Sequence, residues 1–220
     1  MALDSRVYRL VDDPSNVYLV DDGDLTLVDA GVPGSAKPIR DGIRALGHAV
    51  VDVDRVLLTH YDYDHVGALA SLGLDAPIHA GEPDATYVTG AAKPPLSNAK
   101  GLMQRVLGRN LDFPDLTSLP VTDDEEIGDF RAYRTPGHTA GHTVYLHSGF
   151  DIAFLGDCVR ESEHTLQPMP GWLCADSDRN HESIKKLSER TPTFDYGAPG
   201  HGDPITAGAS AVLRRVAAGL

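Results

Sequence analysis

Four metal-type ligands crowd into one short stretch, Thr59-His60-Tyr61-Asp62-Tyr63-Asp64-His65. His60, Asp62 and Asp64 stand two residues apart, so an extended backbone points all three to one side, and His65 turns to the other. Carboxylates and imidazoles packed on one edge repel and dehydrate one another unless a cation holds them. Divalent ions supply that cation, and imidazole with carboxylate suits zinc, iron or manganese.

Two more histidines stand in glycine-flanked turns, His138 in Pro136-Gly137-His138-Thr139-Ala140-Gly141-His142 and His201 in Pro199-Gly200-His201-Gly202. Glycine there allows positive φ and a close approach to the chain. Asp157 ends the run Phe154-Leu155-Gly156-Asp157, and Asp29 ends Leu27-Val28-Asp29.

Elements that could bring these residues together are legible. Val17–Val20 and Leu25–Val28 read as strands joined by a turn at Asp21-Asp22-Gly23-Asp24. Ile39, Ile43 and Leu46 follow at helical spacing, with Ser35 as expected cap and Gly47 as stop. The apolar run 55–58 fits a strand buried on both faces that delivers the chain into His60. Further strands are expected at 76–79, 132–135, 143–146, 152–155 and 196–198, and helices near Glu82, Ile184 and Val212. Most of the candidate ligands sit at strand ends, and two groups of strands with helices suggest two sheets packed face to face. Residues 91–120, broken by Pro94, Pro95, Pro114 and Pro120, read as an insertion over the domain, with Leu102, Met103, Val106 and Leu107 as an apolar stripe on a short helix.

The chain has 220 residues, enough for one domain spanning 1–220, and 41% hydrophobic residues, enough for a core. Its 32 acidic residues, 25 Asp and 7 Glu, outnumber 19 basic ones and leave a net −13. That balance argues against nucleic acid and anionic membranes as partners. Acidic surfaces poor in lysine, of which there are 5, resemble those of proteins from salt-accumulating archaea. No apolar leader and no run long enough for a membrane helix is visible, and Cys158 and Cys174 make no disulfide framework. The expectation is a cytoplasmic protein acting on a small molecule; its oligomeric state stays open, a homodimer being one option.

Taken in order, Asp29, His60-x-Asp62-x-Asp64-His65, His138, Asp157 and His201 resemble the successive signatures of the metallo-β-lactamase-fold hydrolases, in their glyoxalase-II-like branch. The resemblance implies an α/β fold, a four-layer αββα sandwich, with two divalent ions along the edge between the sheets. It implies that His60, Asp62 and His138 hold one ion, that Asp64, His65 and His201 hold the other, and that Asp157 bridges them. Asp29 would hold the ligand loop from behind, and His142 would pack without binding metal. The commonest pattern has histidine where Asp62 stands. The extra carboxylate lowers the charge of the centre, weakens its Lewis acidity and favours harder ions. Zinc is the expected ion of the fold, and this shift makes iron or manganese the alternatives.

The implied reaction is attack by a metal-bridging hydroxide on the acyl carbon of a small ester, thioester or lactone. Asp62 and Asp64 are both candidates to take the water's proton. The alternatives are a phosphodiesterase or nuclease of the same fold, and an iron enzyme acting on oxygen or persulfide. Nineteen residues follow His201 (220 less 201), so the thiol contacts made by the C-terminal helical domain of full glyoxalase II are not carried over. Tyr61, Tyr63 and Arg160 flank the ligand loops, Cys158 should point away from them, and His48, His79, His147, His164 and His181 match no signature.

Overall fold

The computed structural model describes residues 2–4 and 6–220. Strands β1 (Ala2–Asp4), β2 (Val7–Val11), β3 (Val17–Asp21) and β4 (Leu25–Val28) run antiparallel. Helix α1 (Ala36–Ala45) then crosses to β5 (Arg55–Leu58), parallel to β4. The short helices α2 (Tyr63–Val66) and α3 (Leu69–Leu72) lead to β6 (Ile78–Gly81). Helices α4 (Asp84–Val88) and α5 (Ala99–Leu107) lead to β7 (Ser118–Val121). These seven strands form one sheet in chain order.

The second sheet holds β8 (Glu126–Ile127), β9 (Phe130–Arg134), β10 (Thr143–His147), β11 (Ile152–Gly156) and β14 (Tyr196–Pro199), in the order β14-β11-β10-β9-β8. Between β11 and β14 lie the hairpin β12 (Val159–Ser162) with β13 (Thr165–Pro168), and helix α6 (Ser177–Arg190); α7 (Ala209–Ala218) comes last.

Alternation along the strands builds three apolar layers. Leu19, Leu27 and Leu58 face Ile39 and Ile43 of α1, while their neighbours Tyr18, Val20, Val28 and Leu57 face Phe130, Tyr145 and Phe154 across the gap between the sheets. On the far side, Val144, Leu146 and Leu155 meet Ile184 and Leu187 of α6 and Leu213 of α7. Helix, sheet, sheet and helix therefore stack as four layers, the αββα sandwich. No helix among the described residues is long and apolar enough to cross a membrane.

Three local expectations are corrected. Ser35 does not cap α1; it sits in a 3-10 turn, Pro33–Ser35, that runs straight into the helix. Residues 118–120 belong to β7, so the C-terminal end of the 91–120 segment is sheet rather than insertion. The stripe of α5 is not buried as a unit: Leu102, Val106 and Leu107 are 52%, 55% and 48% exposed, Met103 and Leu107 line a cleft, and the buried residues are Lys100, Gly101 and Gln104.

Candidate metal centre

The loop after β5 is extended through His60 and Asp62 and then turns helical, because the Asp62 carbonyl accepts the N–H groups of His65 and Val66, each at 2.9 Å. That turn separates the tetrad: Asp64 and His65 leave the side shared by His60 and Asp62, contrary to an extended run through Asp64. Two ligand sets result, each with donor atoms within 4.8 Å of one another. One is His60, Asp62 and His138; the other is Asp64, His65 and His201.

Asp157 lies between them. Its Oδ2 is 3.4 Å from His138 Nε2 and 3.2 Å from His201 Nε2, and its Oδ1 is 3.5 Å from His65 Nε2. Gly200 makes this arrangement possible, because a Cβ there would stand 2.1 Å from Asp157 Oδ1 and 2.8 Å from His65 Cε1.

Each imidazole is oriented from behind. His65 Nδ1 donates to Asp29 Oδ2 at 2.9 Å. Asp29, at φ +59°, also accepts from Thr59 N and Thr59 Oγ1 at 2.8 and 2.7 Å. Since that hydroxyl donates to Asp29, it accepts from His60 Nδ1 at 3.0 Å. His201 Nδ1 donates to the Pro14 carbonyl at 2.8 Å, and His138 Nδ1 faces Cys174 Sγ at 4.0 Å. The Nε2 atom of each of these rings therefore faces inward, the orientation that metal-binding histidines require.

The inward atoms fit a metal. His60 Nε2, His65 Nε2 and Asp157 Oδ1 are buried and without a hydrogen-bond partner. Buried polar atoms left unpaired are costly, and a divalent ion satisfies several at once. Burial would lower the basicity of His65, but the carboxylates of Asp157 and Asp29 outweigh it and raise its pKa to about 10. Burial works against ionised Asp157 too, and His65 and His201 override it and hold the carboxyl well below its usual range.

The first set carries a cation of its own. Lys100, 2% exposed, reaches from α5 to Asp62 Oδ2 and lies 2.8 Å from His138 Nε2. Burial together with this ammonium lowers His138 to about 4, so the ring is a free base. Burial disfavours ionised Asp62, yet Lys100, His138 and His60 hold its carboxyl well below the ordinary range. Gln104, one turn on, donates to Asp62 Oδ1 at 2.9 Å and to the Tyr61 carbonyl.

Several residues that hold the site gave no sequence signal. Asp84 accepts from Tyr61 N at 2.8 Å, Thr139 Oγ1 at 2.6 Å and Gly141 N at 3.0 Å, tying the His60 loop to the His138 loop. Ser15 donates to the Asp64 carbonyl, and Asn16 Nδ2 donates to the carbonyls of Pro199 and Gly202 at 2.9 and 2.8 Å. His142 is buried; its Nε2 accepts from Asp157 N at 3.0 Å, and its Nδ1 bonds Thr135 Oγ1 at 2.7 Å, so it positions Asp157 and does not face the ligand sets. Cys158 points into the outer apolar layer, where burial pushes its thiol up. His147, at the C-terminal end of β10, pairs with Asp22 at 2.9 Å.

Asp62, Asp64, His138, Asp157 and His201 line a cleft of about 500 Å3, with His60 and His65 buried behind them. Val32, Met103, Met169 and Leu173 line its apolar side, and Lys100 and Arg160 are its Lys and Arg side chains.

Comparison with known proteins agrees with this geometry. Residues 10–201 match the model of the metallo-beta-lactamase superfamily. The probable metallo-hydrolase YflN of Bacillus subtilis is 26% identical over 226 residues, covering 91% of this chain and 85% of that protein. A hydroxyacylglutathione hydrolase of Vibrio cholerae is 29% identical over 167 residues, covering 71% of this chain but 54% of that protein. The solved structure of TTHA1623 in a di-iron-bound form superposes with a TM-score of 0.68 at 26% identity, covering 93% of this chain and 96% of the other. With a match across most of its length and a fold of the same four layers, the chain belongs to the metallo-beta-lactamase superfamily.

Proposed function

We propose that the protein hydrolyses small esters, thioesters or lactones with a divalent metal. The observation that carries this reading is the convergence of the orphaned Nε2 atoms of His60 and His65 on Asp157, which lines an apolar-walled cleft together with Asp62, Asp64, His138 and His201. A bound divalent ion supplies Lewis acidity and a water acidified to near neutral pH. The chain's own residues do the rest. Asp29 and Pro14 fix the rings of His65 and His201 by their Nδ1 protons, and Asp64 and Asp157 supply the anionic ligands. The apolar wall excludes water and takes the acyl body of a substrate. Arg160 lines the cleft, where a guanidinium can orient a polar or anionic substrate end.

Zinc is the proposed ion, with iron as the competing choice. Three carboxylates among the ligand sets and the likeness to a di-iron protein support iron. A two-ion centre is supported by ligand type; Lys100 between Asp62 and His138 supports a smaller complement. The −13 charge and apolar cleft weigh against RNA or DNA as substrate.

Assay of the ion-loaded protein on thioesters, lactones, simple esters, phosphodiesters and RNA, at low and molar salt, tests the substrate class. Acyl turnover without phosphodiester cleavage is expected. Phosphodiester cleavage without acyl turnover would reverse the assignment.

A further inference from the structure

Helix α5 is built backwards for a surface helix. Its outward face carries Leu102 and Val106, its inward face carries Lys100 and Gln104, and Met103 and Leu107 line the cleft beside them. It is also firmly seated. Asn98 caps it by accepting from Gly101 N at 2.7 Å, and a Cβ on Gly101 would stand 1.9 Å from the Pro95 carbonyl oxygen. Burying a lysine is costly unless its charge is matched, so a packed helix that delivers one to a ligand cluster has a reason for it.

Lys100 Nζ meets the very atoms that a first metal ion would need. A neutral imidazole nitrogen has one lone pair, and that of His138 Nε2 faces the ammonium at 2.8 Å. A nitrogen accepting a hydrogen bond there cannot also coordinate a metal at about 2.0–2.1 Å. Asp62 Oδ2 is held by the same ammonium and Asp62 Oδ1 by Gln104. Of the first set only His60 Nε2 stays unpaired among the described residues, whereas Lys100 reaches neither His65 Nε2 of the second set nor Asp157 Oδ1 between the sets, and both of these are unpaired. Charge agrees with geometry, since one divalent ion and one ammonium balance the three carboxylates of Asp62, Asp64 and Asp157. A second divalent ion beside Lys100 would leave a buried surplus of positive charge.

We propose that Lys100 is the cation of the first ligand set, so that the chain carries a single divalent ion, held by Asp64, His65, His201 and Asp157. Asp62 is what makes this possible: a carboxylate holds an ammonium, and an imidazole in its place would not draw one in. The proposal rests on the reading of the cluster as a metal centre, and metal content separates the two.

Wild-type protein, Lys100→Met and the exposed control Lys93→Met are each loaded with excess zinc, passed through gel filtration and measured for zinc per chain. About one ion is expected for wild type and Lys93→Met, and about two for Lys100→Met, whose side chain fills the same space without charge. Anomalous scattering from zinc-loaded wild-type crystals reads the same answer without a variant: one peak, at the second set. Two tightly held ions in wild type, with Lys100 swung away, would overturn the proposal, as would Lys100→Met that folds and stays at one. Fewer than about half an ion in every protein would overturn the metal reading beneath it.

Discussion

Asp84 shows how much a residue outside the ligand sets contributes at this site. Its two oxygens accept from two backbone N–H groups and one hydroxyl, on the two loops that carry His60, Asp62 and His138. Burial raises its pKa despite those bonds, with Thr139 and Tyr61 opposing. Asp84→Ala leaves three buried donors unmatched, which should cost about 2–4 kcal/mol. A urea melt checks that figure, and a loss below about 0.5 kcal/mol would mean the loops find other partners. Sequence could not reveal this role. Asp84 stands in the ordinary segment Glu82-Pro83-Asp84, and its partners lie 23, 55 and 57 residues away. His60, Asp62, Asp64 and His65, by contrast, were legible because their density is local and their donor types suit a divalent cation.

At the scale of elements, strands read well and the segment over the site did not. The β3–β4 hairpin and the buried β5 follow from turn chemistry and continuous apolar runs, which are short-range signals. For α5 the same apolar-stripe rule put Leu102 and Val106 on the wrong face, because Lys100 and Gln104 take the buried positions beside Met103 and Leu107. Likewise, the Pro14–Asn16 clasp on Asp64 and His201 depends on pairing across most of the chain. The turn after β14 makes the sharpest demand on backbone shape. Gly200→Ala puts a Cβ against the Asp157 carboxylate and the His65 ring, so the variant should bind metal on the order of tenfold more weakly. Competition with a chelating dye measures this. Unchanged affinity would show that the turn moves aside freely.

For the whole molecule, the stacking of two sheets is what turns scattered strand ends into one site. Ligands come from the β5 end of the first sheet, from the β9–β10 and β11 ends of the second, and from the turn after β14. Each loop alone is an ordinary connection. The acidic composition divides accordingly: Asp29, Asp62, Asp64 and Asp157 belong to the centre, Asp84 ties its loops, and the other 27 of 32 acidic residues (32 less 5) have no part in the ligand sets. The central claim is that acyl hydrolysis depends on a metal held by Asp64, His65, His201 and Asp157. Its most direct test is to strip the protein with chelator, confirm by circular dichroism that it remains folded, and titrate zinc back while following thioester hydrolysis. Turnover should vanish in the stripped protein, return in proportion to ion bound, and fail to return in His65→Ala. Hydrolysis that survives complete removal of metal, or recovers fully in His65→Ala, would contradict the account.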